Sequence, residues 1–204
     1  MSTNFIHHDK NALTLEECKS LIDFYENNEE HYTTGSVNLD LVDNQDRKGM
    51  EWKKNIIYIS KDEMHPQSRY FSNLNRSLNV HANQYIKKYS FLNRVKIWSL
   101  SSNFKIKKYL PNEALSFTHC ENSGYVDGEM ERRLIAWMFY LNDVTDGGET
   151  EFPTQGKKFA SRAGDVLIWP AYWTHPHHGL PSPTQTKYIV TGWCSFLSDS
   201  ELKA

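Results

Sequence analysis

His119, Cys120 and Glu121 stand in a row within a polar stretch. In an extended chain successive side chains alternate between faces, so His119 and Glu121 project to one side and Cys120 to the other. An imidazole and a carboxylate on one face make half of a metal site. The only dense supply of imidazole later in the chain is Trp173-Thr174-His175-Pro176-His177-His178-Gly179, more than fifty residues downstream, so a third ligand must come from another strand. There His175 and His177 share one parity, while His178 would point away. Two histidines and a carboxylate with coordination positions left open suit non-haem Fe(II) better than structural zinc, which closes its shell with four Cys and His ligands.

A second chemical signal lies ten residues beyond His177. In the run Lys187-Tyr188-Ile189-Val190-Thr191-Gly192-Trp193 the strand parity groups Lys187, Thr191 and Trp193. A cation, a hydroxyl and a flat aromatic wall would then face one space. A buried lysine needs an anion, because burying the charge alone costs several kcal/mol or forces the amine neutral. A ligand carboxylate would meet that need. Other conspicuous residues have ordinary explanations. Trp137, Trp169 and Trp173 are expected in the core, Arg132-Arg133 and Lys157-Lys158 in solvent, and Asp146-Gly147-Gly148 in a chain reversal.

These groups need a scaffold, and the chain changes period part-way along it. Thr14-Leu15-Glu16-Glu17 is a capping box, followed by apolar residues at helical spacing, which predicts a helix over about 15–28. Asn27 to Lys54 reads as a long loop or weak hairpin that could cover a site, Asn55 to Ser60 as a short strand, and Pro66 to Lys88 as a second helix. Val95 to Trp98 and then Phe104 to Tyr109 alternate in apolar residues as half-buried strands do, and Arg133 to Leu141 is almost continuously apolar, the mark of a strand buried on both faces. Further strands are expected at 150–152, 158–160, 165–169 and 187–196. The fold class is mainly β with N-terminal helices: one domain over 1–204, with helical support over about 1–92 and a core over about 93–198 that is a sandwich or a jelly roll (double-stranded β-helix), helices packed outside one sheet. An aromatic content of 13% suits large side chains filling the space between sheets.

Charge narrows the partners. Lys and Arg number 23 against 25 Asp and Glu, a formal charge of -2, which gives no global reason to expect nucleic acid or a membrane surface. The three cysteines lack any CxxC pair, which speaks for a reducing compartment and against a zinc ribbon. With no apolar run of signal-peptide or membrane-spanning length, the expected location is the cytoplasm.

Several motifs together carry a family resemblance. Tyr109 stands ten residues before His119 and Glu121, and Tyr140-Leu141-Asn142 leads to Gly147-Gly148-Glu149-Thr150-Glu151-Phe152. Gly164-Asp165-Val166-Leu167-Ile168-Trp169 follows, then His177, Pro181 and Lys187. In order and spacing, over about 95–196, the chain resembles the 2-oxoglutarate and Fe(II)-dependent oxygenases of the prolyl 4-hydroxylase-like branch. The resemblance implies Fe(II) held by His119, Glu121 and His177, with 2-oxoglutarate as cosubstrate and ascorbate as an accessory reductant. It ranks His177 ahead of His175 as distal ligand, and His178 last. His175 and Trp193 become supporting or substrate-facing groups. It places the far carboxylate of 2-oxoglutarate on Lys187 and Tyr109, with Tyr140 and Thr191 as helpers.

The implied activity is dioxygenase hydroxylation of a C–H bond, with release of succinate and CO2. The leading substrate is a peptidyl proline in a peptide or protein; a small molecule is the alternative, and oligomeric state is left open. Substrate would enter past the 30–54 loop and the 122–131 segment. One position departs from the family: Glu121 stands where Asp is usual, and its extra methylene moves the carboxylate outward by about one bond length. Two competing readings are a jelly-roll binding module that has lost its iron and a nucleic-acid oxygenase, the latter disfavoured by Lys187 and by the balanced charge.

Overall fold

The computed structural model describes residues 4–28, 33–34, 54–60, 68–122 and 130–203. Most of the polar loop expected over 27–54, the start of the second helix and most of the 122–131 segment lie outside them. The elements run β1 (His7–Asp9), α1 (Leu15–Glu26), β2 (Thr33–Thr34), β3 (Lys54–Ser60), α2 (Ser68–Lys88), β4 (Trp98–Tyr109) and β5 (Arg133–Tyr140). They continue with β6 (Thr150–Phe152), β7 (Lys157–Phe159), β8 (Val166–Pro170), β9 (His178–Gly179) and β10 (Lys187–Phe196). Seven strands form one antiparallel sheet in the order β1-β8-β5-β10-β4-β3-β2, and β7-β6-β9 form a smaller one.

Helix α1 starts where its capping box dictates: the Glu17 amide donates to Thr14 Oγ1 (3.1 Å) and the Thr14 amide to Glu17 Oε2 (2.8 Å). Cys18, Leu21, Phe24 and Tyr25 face inward, and α2 meets them with Phe71, Leu74 and Leu78. Both helices cover one face of the large sheet through Phe104, Ile106, Trp137, Phe139, Val166, Ile168 and Val190. The opposite parity of the same strands supplies a second cluster, in which Tyr109, Ala136, Met138, Tyr140, Leu167, Trp169, Ile189 and Trp193 pack with Phe152 of the small sheet. The continuous apolar run of β5 is therefore two alternating faces read together, every residue buried.

Two expectations change here. The stretch from 95 to 109, read as two strands, is one twelve-residue strand, β4, preceded by a 3-10 turn over Ser90–Arg94. Trp173, expected in the core, is 79% exposed, because it sits in the loop leaving β8 rather than on a strand. The central strand pair is close-packed: a Cβ at Gly192 would lie 2.4 Å from the Trp137 ring, so the indole lies flat across β10 only because that position has no side chain.

Candidate metal centre and anion pocket

Residues 117–122 are not a strand. His119 makes a single antiparallel bridge to His177, through reciprocal hydrogen bonds of 3.0 and 2.9 Å between their main chains. This bridge sets the two imidazoles side by side, with ring centroids 4.5 Å apart. The expected alternation holds locally, bringing Glu121 to the same side. Glu121 Oε1 lies 3.4 Å from His177 Nε2 and 3.8 Å from His119 Nε2.

The hydrogen bonds around the cluster fix which atoms face inward. His119 Nδ1 is 3.1 Å from the Phe117 carbonyl and His177 Nδ1 is 3.1 Å from the His175 carbonyl. A carbonyl only accepts, so each Nδ1 carries the proton and each neutral ring directs an Nε2 lone pair inward. His177 stays neutral readily: burial pulls its pKa down, against the opposing pull of Glu121. For Glu121 burial works upward, but when the two rings are protonated the hydrogen bonds and charge of His119 and His177 outweigh it and hold the carboxyl well below its ordinary range; with neutral rings a bound cation would supply that charge. Two nitrogen lone pairs and one carboxylate oxygen therefore converge. This donor set would suit a divalent ion.

The other carboxylate oxygen meets Trp193, expected as a supporting or substrate-facing group, and Arg133, whose role was not read from the sequence. Trp193 Nε1 donates to Glu121 Oε2 at 2.8 Å. Arg133, expected in solvent, is 8% exposed; its Nη1 donates to the Glu121 carbonyl at 3.2 Å and lies 3.9 Å from Oε2. Its guanidinium also covers the Trp193 ring, Cζ to centroid 3.6 Å. The available signal was an arginine opening an otherwise apolar strand, a position where a charge needs a partner. Around His177, Phe152 stacks at 5.2 Å and Trp169 meets the ring edge-on at 5.0 Å, fixing its orientation.

Of the two other histidines in the 173–179 run, His178 departs from expectation. His175 is buried with Nε2 against the Asn4 carbonyl (2.8 Å), so it supports His177 through its own main-chain carbonyl and stays outside the cluster. His178 does not point away: it lines the adjoining cavity and lies 3.4 Å from Glu151 on β6.

That cavity, open on one side, extends from the cluster past Leu115, Met138, Ile189 and Thr191 to Tyr109 and Lys187. Lys187 and Tyr109 are cross-strand partners on β10 and β4. The Lys187 amine is 7% exposed as a residue, donates to the Gly148 carbonyl at 2.6 Å and lies 5.3 Å from the centre of the Tyr140 ring. Burial brings its pKa down to about 8, with Glu149 opposing and Lys107 assisting. The glycine turn does more than reverse the chain: Gly147 (φ +109°) and Gly148 (φ +74°) adopt left-handed conformations that present this carbonyl.

The helper hydroxyls are otherwise engaged. Tyr140 OH donates to Thr150 Oγ1 (2.7 Å), so its ring and not its hydroxyl serves Lys187. Thr191 donates its only proton to the Trp137 carbonyl (2.8 Å), leaving just acceptor capacity toward the cavity.

Comparison with known proteins agrees with this architecture. Residues 104–195 match the family model described as 2OG-Fe(II) oxygenase superfamily. An inferred prolyl 4-hydroxylase of Acanthamoeba polyphaga mimivirus is 28% identical over 107 residues, 46% of this chain and 44% of that protein, so the match spans less than half of the relative's length. Among solved structures, the viral collagen prolyl hydroxylase of Paramecium bursaria Chlorella virus-1, in its 2OG complex, superposes with a TM-score of 0.67 at 17% identity, covering 95% of this chain and 97% of that one. A Pseudomonas putida prolyl-4-hydroxylase gives 0.65 at 17% identity over 96% and 95%. Over residues 104–195 the chain is therefore similar to the 2OG-Fe(II) oxygenase superfamily. In sequence and fold the chain is prolyl 4-hydroxylase-like.

The contact between Trp193 and Glu121 yields a direct expectation. Trp193→Phe keeps the aromatic wall but removes the N–H, so metal affinity should fall by ~10–100-fold, as for other outer-sphere partners of ligands. Chelator competition measures it; unchanged affinity would show that the indole does not position the carboxylate.

Proposed function

We propose that this chain is a Fe(II)- and 2-oxoglutarate-dependent dioxygenase that hydroxylates a prolyl residue in a peptide or protein, releasing succinate and CO2. The observation that carries the reading is the convergence of three lone-pair donors at one end of a cavity whose other end holds a buried lysine. His119, Glu121 and His177 would hold the metal, and the donor set suits it: two imidazoles and one carboxylate oxygen on one face, with further positions open to the cavity. When bound there, Fe(II) supplies O2 activation coupled to oxidative decarboxylation of 2-oxoglutarate. The two sheets are then the halves of a jelly roll, and the chain one domain with helical support over about 1–92 and a core over about 93–198.

The protein's part is binding, orientation and exclusion of water. Lys187 donates to the far carboxylate of 2-oxoglutarate, exchanging its Gly148 partner for a charged one, and Tyr109 adds its hydroxyl from across the strand pair. Tyr140 keeps its ring against the amine. Met138, Leu115 and Ile189 line the passage between anion and metal and exclude water from it. Glu121 stays anionic and Trp193 holds its outer oxygen, so one oxygen remains to face the metal. Peptidyl substrate is favoured by the likeness to prolyl hydroxylases and by Trp173, a large exposed indole on the loop that carries His177. Ascorbate would serve as the reductant that keeps iron ferrous. Among the described residues no helix is long and apolar enough to cross a membrane, and the charge balance offers no extended attraction for nucleic acid; a cytoplasmic location fits the free cysteines.

Incubation with Fe(II), 2-oxoglutarate, ascorbate and a proline-rich collagen-like peptide tests this directly. The expected result is succinate formed in step with a one-oxygen mass gain on proline, both abolished in His177→Ala. Succinate that rises with a small molecule and never with peptide would overturn the substrate assignment.

The lysine sets a pH limit. In the free protein Lys187 is charged below about 8 and neutral above it. The kcat/KM for 2-oxoglutarate should therefore fall as pH rises through about 8, and Lys187→Met should remove that limb while raising KM. Stability runs the other way. The folded pKa lies below the ordinary 10.5, so between about 8 and 10.5 the unfolded chain holds a proton that the folded one lacks. The unliganded protein gains stability from this group as pH rises through that interval. A flat profile in both measurements would contradict the burial of the amine.

A further inference from the structure

The N-terminal strand carries a second convergence of donors, on the far side of β8 from the β5 strand that ends in Tyr140. In β1 alternation sends His8 to Asp165 (2.7 Å) and turns His7 and Asp9 the other way, toward α2. There His81 waits. Its Nδ1 lies 3.0 Å from Asp9 Oδ2, and His7 Nε2 lies 3.1 Å from the same oxygen. One ligand atom from each of the three residues falls within 4.8 Å of the others.

Two features distinguish this cluster from surface charge. The imidazoles are enclosed, with side chains 11% and 12% exposed, while the carboxylate is 39% exposed. And His7 Nε2, sealed from solvent, has Asp9 Oδ2 3.1 Å away but at poor hydrogen-bond geometry. A buried polar nitrogen so weakly partnered is destabilising. A cation between the groups satisfies it. Tetrahedral zinc at ~2.0–2.1 Å from each ligand places its donors ~3.3 Å apart, close to the two separations observed.

We infer that His7, Asp9 and His81 form a second divalent-cation site of the Zn2+ class, separate from the His119, Glu121 and His177 cluster, clipping β1 to α2. The exposed side of Asp9 leaves the fourth position to water. The clip acts on a segment that needs fastening: β1 is three residues long and an edge of the large sheet. The same segment reaches the other cluster, since the Asn4 carbonyl receives His175 and Ile6 packs in the group that contains Trp169. The ion's role is therefore to hold the N-terminal segment against the support of His177, without taking part in turnover. Tyr85, one turn beyond His81, adds a bond to the Phe5 carbonyl (2.9 Å) from the same helix face.

The test uses Co2+ as an absorbing probe on the full chain, stripped of metal and freed of any affinity tag. A His119→Ala/His177→Ala protein should still bind one equivalent, with the visible ligand-field bands of a four-coordinate site. Zn2+ should displace them and raise Tm. Adding Asp9→Asn, which keeps the side chain's shape, or His81→Ala should abolish the bands. If the double alanine background does not fold, the same counting is done on the otherwise unaltered chain, where two equivalents should fall to one with Asp9→Asn. Absence of bands and of any Tm shift, or equal binding with and without Asp9→Asn, would show a metal-free His–Asp–His hydrogen-bond network and overturn the assignment.

Discussion

A carboxylate shared between two opposed sets of partners controls this structure. Glu121 presents one oxygen to the Nε2 lone pairs of His119 and His177, and gives the other to the Trp193 indole and the Arg133 guanidinium. Without the outer pair, an ionised carboxylate at this depth would bear a large uncompensated desolvation cost. Without a cation at the inner oxygen, three electron pairs would face one another. The elements are arranged around this constraint: the bridge between His119 and His177 aligns the rings, β10 brings Trp193, and the first residue of β5 brings Arg133.

The same strand parity that makes the centre makes its pocket. On β10, Ile189, Thr191 and Trp193 face the small sheet with Lys187, while Val190 and Cys194 face the helices. Gly192 permits this double use by letting Trp137 lie against the strand. Because the lysine is fixed on the same strand as the carboxylate's indole partner, the proposed anion and metal positions lie at opposite ends of one rigid element. That spacing would suit a ligand with two anionic ends.

Much of this was legible from local pattern. The capping box located α1, and the alternation of Lys187 to Phe196 defined β10 with its bounds, because each is written in neighbouring residues. The placement of His119 beside Glu121 followed from alternation even though the segment makes one bridge and no strand. What escaped depends on contacts between distant segments. Arg133 reads as surface charge until residue 121 folds onto it, and Trp173 reads as core until the loop after β8 turns it outward. The hydroxyls of Tyr140 and Thr191 have the right parity, yet Thr150 and the Trp137 carbonyl take their protons. Strand parity gives the face of a side chain and says nothing of its hydrogen-bond partner.

The glutamate also answers the departure noted at this position. Its side chain reaches outward to Trp193 while the His119–His177 bridge sets the inner donors, so both oxygens of the longer carboxylate find partners. The decisive measurement is anaerobic titration of the purified protein with Fe(II) and then 2-oxoglutarate, followed by the weak visible charge-transfer band of the chelate, in parallel with Glu121→Asp. The account predicts a saturable band for the glutamate protein and a weaker one for the aspartate variant. No band at excess iron, or a stronger one with aspartate, would contradict it.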